Sequence, residues 1–352
     1  MTAISRLRNE IPEGADCVLV TSELNQRYLT GVHTEGYVVV GRDHAWLLTD
    51  FRYIEIAEKY ATGELTVKLL ERRKDALSSV FSENGFVNVG FEDDVVTCSE
   101  LDRLRAMFPE INFVKAGGVI EKIRRYKTPG EVENIIGAQR IAEKALERLF
   151  SLMTPEMTER EVAIELDFGM RRLGAEGSAF ETIAVSGTAS SMPHGVPRDV
   201  KLEKGFLTMD FGALYNGYCS DMTRTVVLGK ADAEMKKVYE TVLRAQTEAE
   251  KRIIAGATGA ECDKIARDII DGAGYEGRFG HSLGHGVGMY IHELPSLSSS
   301  WDKPLEVGNV VTDEPGIYIP GLYGVRIEDM IYISENGPVN LTKADKNLIE
   351  LF

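Results

Sequence analysis

No stretch of this sequence approaches the roughly 18 to 20 consecutive apolar residues that a membrane-spanning helix needs. The N-terminus, Met1-Thr-Ala-Ile-Ser-Arg6, runs into Leu7, Arg8 and Glu10 without the apolar core of a secretory signal. Cysteine is scarce: Cys17, Cys98, Cys219 and Cys262 lie far apart, with no C-x-x-C pair, so neither a zinc knuckle nor a disulfide framework is indicated. Positive charge is in deficit too. Lysine and arginine number 40 against 55 acids, a formal charge of −15, and phosphate surfaces are gripped by clustered Lys and Arg. Neither nucleic acid nor an anionic membrane is therefore the expected partner. Low-complexity tracts and short repeats are missing as well. The expectation is a cytoplasmic globular protein with reduced thiols.

What is present is enough for two domains, since 352 residues exceed the usual one-domain span of roughly 100 to 200. Residues 15 to 125 interleave short strands with helices. Ala15 to Thr21, Tyr37 to Val40, Trp46 to Thr49, Phe86 to Phe91 and Asn112 to Val114 are apolar, β-rich runs. Arg52 to Tyr60 reads as a helix with Ile54, Ile56 and Ala57 on one side, and Ser99 to Met107 as another. An α/β layer structure follows. At Tyr126-Lys-Thr-Pro-Gly130 the punctuation changes: Thr128 suits an N-cap, Pro129 the first helical position, and Glu131 and Glu133 the positive end of the helix dipole. A long helix to about Met153 is expected, then a second from Thr158, with Glu161 completing a capping box, to near Gly174. The boundary is placed between Glu121 and Thr128, giving domains 1–124 and 125–352. From Phe180 onward the pattern is β with hairpins, interrupted by helices at about Ala233 to Ile254 and Gly259 to Gly272.

Chemistry-bearing residues concentrate in this second half. Asn216-Gly217 between apolar runs is a type I′ hairpin signal. With those two residues as the loop, Asp210 pairs with Thr223 and Asp221 with Gly212, so both aspartates project from one face as diagonal neighbours, their Cα atoms roughly 7–8 Å apart. A second hairpin is expected around Pro320-Gly321, which sets Glu314 and Glu328 opposite each other; Pro315 or Gly324 could bulge it. Carboxylates crowded into one pocket repel unless a cation or proton intervenes. Between the hairpins lies Gly280-His281-Ser-Leu-Gly284-His285-Gly286-Val-Gly288, too glycine-rich for a helix, with His292 following. Four carboxylates and one imidazole suit two divalent cations of the Mn²⁺, Co²⁺, Fe²⁺ or Zn²⁺ kind sharing a water or hydroxide, and such a pair hydrolyses.

The order Asp210, Asp221, His285, Glu314, Glu328 resembles the five-ligand dinuclear site of the pita-bread (creatinase/aminopeptidase) metallopeptidases. The segments Met192-Pro-His194-Gly195, His292-Glu293, Glu314-Pro-Gly316 and Val325-Arg-Ile-Glu328-Asp329 are similar to the proline-directed branch, the Xaa-Pro aminopeptidases and Xaa-Pro dipeptidases (prolidases). Leu29-Thr-Gly31 and Thr49-Asp-Phe-Arg-Tyr53 resemble that branch's smaller N-terminal domain. The resemblance implies a creatinase-like α/β N-terminal domain with a mixed sheet and an α+β pita-bread catalytic domain. It also implies two divalent ions, manganese foremost, a homodimer, and short peptides with proline second as substrates.

Residue by residue, the resemblance makes Asp210 chelate one metal, has Asp221 and Glu328 bridge both, and gives the second metal to His285 and Glu314. Glu314 is also the general base. His194, His281 and His292 hold substrate, and Arg326 stands near substrate and the bridging acids or serves only as their ion-pair partner. Asp313 departs from the family, where an apolar residue is common; alternation turns it away from the metals. Two other readings compete. Gly280-His-Ser282-Leu-Gly284 satisfies the G-x-S-x-G pattern of a serine hydrolase, but that motif needs a following helix and a downstream acid-then-histidine order that this chain lacks. A non-catalytic or metal-free relative on the same fold is the other, normally marked by a missing ligand.

Overall fold

The computed structural model describes residues 1–352 and divides into two compact units, Met1–Arg124 and Arg125–Phe352. In the first, β1 (Cys17–Val20), β2 (Gly36–Gly41), β3 (Ala45–Thr49), β4 (Leu65–Leu69), β5 (Asn88–Phe91) and β6 (Asn112–Lys115) form one sheet in the order β4-β3-β2-β1-β5-β6. The pairs β1/β2 and β2/β3 are antiparallel and the outer pairs parallel. Every residue of β1 is buried, as expected of a central strand covered on both faces. The helices are α1 (Ala3–Arg8), α2 (Glu23–Thr30), α3 (Ile54–Ala57), α4 (Arg73–Glu83), α5 (Cys98–Met107) and α6 (Val119–Arg124). Leu77, Val80 and Phe81 of α4 and Leu104 of α5 pack on Leu19, Val39, Leu48 and Val89 of the sheet.

Five elements of this unit, α1, α2, β4, α4 and α6, escape the sequence reading and one reads differently. Strand β4 lies at the sheet edge with one fully buried residue, Leu65, and α4 buries only three side chains and has Arg72 at its N-cap without a side-chain bond. Neither carries a strong periodic or capping signal. The segment after Arg52 makes a single α-turn and then a 3₁₀ turn, Glu58–Tyr60; Ala57 is buried there, but Ile56 is 41% exposed.

The second unit opens with α7 (Pro129–Leu152), closed at its start by the reciprocal Thr128–Glu131 capping box, and α8 (Glu159–Arg172), closed likewise by Thr158 and Glu161. Strands β7 (Gly177–Ser178), β8 (Ile183–Ser186), β9 (Gly205–Phe211), β10 (Ala213–Tyr215), β11 (Tyr218–Cys219) and β12 (Met222–Leu228) follow, then α9 (Ala233–Glu250) and α10 (Gly259–Ile270). The chain ends in β13 (Gly284–Gly286), β14 (Glu293–Leu297), β15 (Val310–Asp313), β16 (Gly316–Ile319), β17 (Tyr323–Arg326), β18 (Asp329–Ser334), β19 (Gly337–Asn340) and β20 (Glu350–Leu351). Helices α7 and α8 bury Ala142, Leu146, Leu149, Val162 and Leu166 against Leu207, Met209, Phe211 and Val226. Helices α9 and α10 bury Val238, Val242, Ala266 and Ile270 together with Val311, Val325 and Ile331. Each half of the β structure is thus backed by its own helix pair.

Both hairpin registers stand as the turn residues dictate. Asn216 and Gly217 take positive φ of 49° and 79°, Tyr215 pairs with Tyr218, and further along Asp210 pairs with Thr223. In the second hairpin Ile319 pairs with Tyr323 and Gly316 with Arg326, and the same register resumes at Asp313 and Asp329. Between those ladders the strands part. Glu314 donates its N–H to Leu283 O at 2.8 Å and Glu328 donates its N–H to Thr223 O at 3.2 Å. The two glutamates therefore occupy a gap in the ladder, with their backbones tied to the neighbouring segments.

Candidate metal centre

One cavity of about 430 Å³ is lined by Asp210, Asp221, His285, Glu314 and Glu328, and also by His194, His281, His292 and Arg326. All nine candidates from the sequence meet there. Glycine makes two of the approaches possible: a Cβ on Gly212 would stand 1.9 Å from Ser220 O, and one on Gly284 2.1 Å from Thr312 O. These contacts draw together the strands that carry Asp210, Asp221, His285 and Glu314.

Asp221, His285 and Glu328 each bring one ligand atom within 4.8 Å of the others. His285 Nε2 lies 3.6 Å from Asp221 Oδ2 and 3.4 Å from Glu314 Oε1. Its Nδ1 is 3.1 Å from Gly286 O; a carbonyl only accepts, so Nδ1 carries the proton and the Nε2 lone pair faces the acids. Burial holds the ring neutral by pushing its pKa down to about 4. That is the state a metal ligand requires.

The acids are in an unsatisfied condition. Burial first, then Asp210 and Glu314, raises the Asp221 carboxyl well above the usual range; burial, then Asp221, Glu314 and Asp210, does the same to Glu328. Glu314 is pushed up to about 8, chiefly by burial, with Arg326 opposing the rise and Asp210 adding to it. Asp210 Oδ1 is buried without a hydrogen-bond partner. Like charges taken out of water and left with a free oxygen fit divalent cations.

Around them lies a network in which Arg326 and His281, expected from the sequence, are joined by Thr223, Thr312 and Tyr318, to which the sequence assigns no role. Arg326 donates through Nη2 to Asp210 Oδ2 at 2.6 Å, through Nε to Thr223 Oγ1 at 3.0 Å and through Nη1 to the Tyr318 hydroxyl at 2.8 Å. Thr223 Oγ1 donates to Glu328 Oε2 at 2.7 Å, and Thr312 Oγ1 donates to Glu314 Oε1 at 3.2 Å. His281 Nδ1 is 2.9 Å from Ser282 O and Nε2 is 2.9 Å from the Tyr318 hydroxyl. Nδ1 is therefore the donor, and Tyr318 donates to Nε2 while accepting from Arg326. Both ring nitrogens of His281 are thus engaged within the protein, whereas His194 and His292 are exposed at the mouth. Thr223 was within reach of the sequence, being the register partner of Asp210. The signal for Tyr318 is two flanking glycines: a Cβ on Gly316 would meet its hydroxyl at 2.6 Å and one on Gly324 its ring at 2.7 Å. Tyr318→Phe removes both bonds of the relay, each worth about 1 kcal/mol, and should lower kcat at least roughly tenfold while metal content, measured by atomic absorption, stays unchanged.

Asp313 points away from the cavity, fully buried opposite Asp329. Its Oδ2 accepts from Gln246 Nε2 at 3.3 Å, and its Oδ1 has no partner. Burial, reinforced by Asp329 and Glu250, raises its carboxyl well above the usual range. Between its ordinary and its raised value the folded chain keeps this acid protonated while the unfolded chain ionises it, so Asp313→Asn should raise the urea-unfolding free energy at pH 7, by more than about 1 kcal/mol. Ser282 stands on the cavity wall, but its segment leads into β13 and no helix follows, so the nucleophile elbow is not formed.

Comparisons with known proteins give the family. The model of metallopeptidase family M24 matches residues 133–335, and that of the creatinase/prolidase N-terminal domain matches residues 4–126. The chain belongs to metallopeptidase family M24. Among its M24 relatives, the Xaa-Pro dipeptidase of Pyrococcus furiosus is 38% identical over 95% of both chains. The solved Xaa-Pro dipeptidase from Bacillus anthracis superposes with a TM-score of 0.93 at 42% identity over 99% of each chain. An X-Pro aminopeptidase from Thermotoga maritima gives 0.93 at 34% identity, covering 98% of this chain and 100% of that one. M24 membership makes the chain a metallopeptidase that uses divalent metal ions, with a creatinase-type N-terminal domain ahead of the catalytic one.

Proposed function

We propose that this M24 enzyme removes the N-terminal residue that precedes proline in short peptides, as an Xaa-Pro aminopeptidase or Xaa-Pro dipeptidase. The observation that carries the reading is the convergence of Asp210, Asp221, His285, Glu314 and Glu328 on one cavity. In this reading Asp210 would hold one ion, His285 and Glu314 the other, and Asp221 and Glu328 would serve both. Hard carboxylate oxygens with a single imidazole favour manganese, with cobalt, zinc or iron as substitutes. Two such ions supply a water that ionises near neutral pH and a Lewis acid for the scissile carbonyl.

The chain's own groups do the rest. Glu314, whose carboxyl is easily protonated in this setting, takes the proton of the attacking water and passes it to the proline nitrogen, so that peptide plus water gives a free amino acid and a proline-first product. His194 and His292 hold the carbonyl oxygen from the mouth, and His281 aligns Tyr318 and Arg326 behind Asp210. Proline needs a dedicated site because its amide lacks an N–H and its φ is fixed, which denies the extended, hydrogen-bonded pose most peptidases use. A metal-free relative is disfavoured because all five ligand side chains face the cavity.

The reading includes a homodimer and a cytoplasmic setting, the latter in keeping with only four cysteines, three of them buried. Its test is direct. Protein reconstituted with Mn²⁺ should bind close to two ions per chain and release alanine from Ala-Pro-Ala or Ala-Pro, and EDTA should stop it. Undiminished cleavage by metal-free protein, or no cleavage of any Xaa-Pro peptide by the loaded one, would remove the proposal.

A further inference from the structure

The segment entering α7 is fastened to the rest of the second unit at several points. Lys127 donates its backbone N–H to Gly308 O at 2.8 Å, Asn309 Nδ2 donates to Arg125 O at 3.2 Å, and Arg125 Nη2 donates to Glu306 Oε2 at 2.9 Å. One further link runs inward. Lys127 Nζ lies 3.1 Å from Glu293 Oε2, with the two side chains only 1% and 6% exposed. This ion pair is buried, it lies outside the metal cluster, and no step of the proposed reaction uses it.

Its surroundings show what it holds. Glu293 directly follows His292 and begins β14. Its Oε1 accepts the N–H of Tyr290 at 2.9 Å, and a Cβ on Gly288 would stand 2.5 Å from its Oε2. Residues 287–292 therefore curl around one carboxylate. They are also anchored by Cys219, whose N–H donates to Gly288 O at 2.8 Å, two residues before Asp221, and by Val287, whose N–H donates to Val310 O at 3.0 Å. His292 sits in the bend immediately before β14 and lines the cavity, so fixing its neighbour Glu293 constrains where His292 stands. There its ring centroid is 4.5 Å from that of His285. A buried pair is directional and is penalised when one partner is lost, which makes it a firmer tether than an apolar contact.

We propose that Lys127 is a positioning residue: its buried pair with Glu293 fixes the loop 287–292 and thereby sets where His292 stands at the mouth of the cavity. The inference rests on the reading that His292 serves the substrate. It makes the segment just ahead of α7 part of the catalytic apparatus.

The test is a mutant cycle on the Mn²⁺-loaded full chain with Ala-Pro-Ala. Lys127→Met with Glu293→Gln removes both charges, which leaves no lone buried ion, and Glu293→Gln alone is the isosteric second variant. Displacing a substrate-holding group should lower kcat about tenfold or more, with KM within about threefold and metal content unchanged. In a His292→Ala background the same change should cost less than about twofold, because residues acting through one another are not additive. A purely structural pair gives losses that multiply; that result, or an unchanged kcat in the first background, overturns the proposal. If His292→Ala alone costs nothing, the role of His292 fails and the inference with it. Inactivity of the unmodified loaded protein on every Xaa-Pro peptide strikes the peptidase reading instead.

Discussion

Replacing Glu314 by alanine is expected to abolish cleavage of Ala-Pro-Ala while the protein stays folded. The carboxyl has two tasks in the proposed site, as a metal ligand beside His285 and as the proton carrier, and a positioned general base alone contributes typically 10²- to 10⁴-fold. A loss of at least about 10³-fold in kcat is therefore anticipated. Stability should not follow activity down. Burial, with Asp210, already pushes the Glu314 pKa up to about 8, so removing the group relieves crowding, and the hydrogen bond its side chain accepts from Thr312, at 3.2 Å, is long. Glu314→Gln is the sharper variant, since its amide oxygen can still accept from Thr312 but cannot carry a proton. Steady-state kinetics with circular dichroism decides the matter: near-normal turnover in either variant rejects the role.

How four of the five candidate ligands could be read from sequence, and why their surroundings could not, follows from the physics of hairpins. Asn216-Gly217 requires positive φ at both positions and so pins the register of the strands on either side, which places Asp210 against Thr223. The turn at Gly321 does the same for Glu314 and Glu328. Capping boxes at Thr128 and Thr158 fixed the starts of α7 and α8 because the signal is local. What sequence does not carry is the break between the ladders on either side of Glu314, which arises from hydrogen bonds to Leu283 and Thr223, distant in the chain. The Tyr318 relay and the Lys127–Glu293 tether are of that kind. The misjudged Ile56 and the missed α4 share another cause: both lie in short, weakly amphipathic segments where packing, not pattern, chooses the conformation.

Stripping the divalent ions should make stability fall as pH rises above about 6.5, in a direction that the site's own titrations fix. The folded-state value of Glu314 is raised from 4.5 to about 8, and Asp221 and Glu328 are raised as well, first by burial and then by one another's charge and that of their neighbours. Between the ordinary and the raised value the folded chain holds a proton that the unfolded chain has released, so each increase in pH favours unfolding. The stability is intact below the unfolded value and is lost as pH climbs through about 8. Holding one extra proton across a single pH unit is worth about 1.36 kcal/mol, so the loss is on the order of a few kcal/mol. His281 and His285 act oppositely: burial lowers both from 6.5 to about 4, so they destabilise the fold as pH drops below 6.5 and offset the acids there. The clean window is therefore pH 6.5 to 8. Divalent ions such as added Mn²⁺ should take the place of the protons and release them on binding, so the loaded protein should lose most of this dependence and gain the most in Tm at pH 8. A smaller slope should persist from Asp313, which is raised by burial away from the metals, and Asp313→Asn should flatten it. Thermal scans with and without EDTA at pH 6.5 and 8 measure all three effects. A metal-free Tm that holds or climbs across this window would mean that the carboxylates are not the crowded, cation-seeking group on which the peptidase assignment stands.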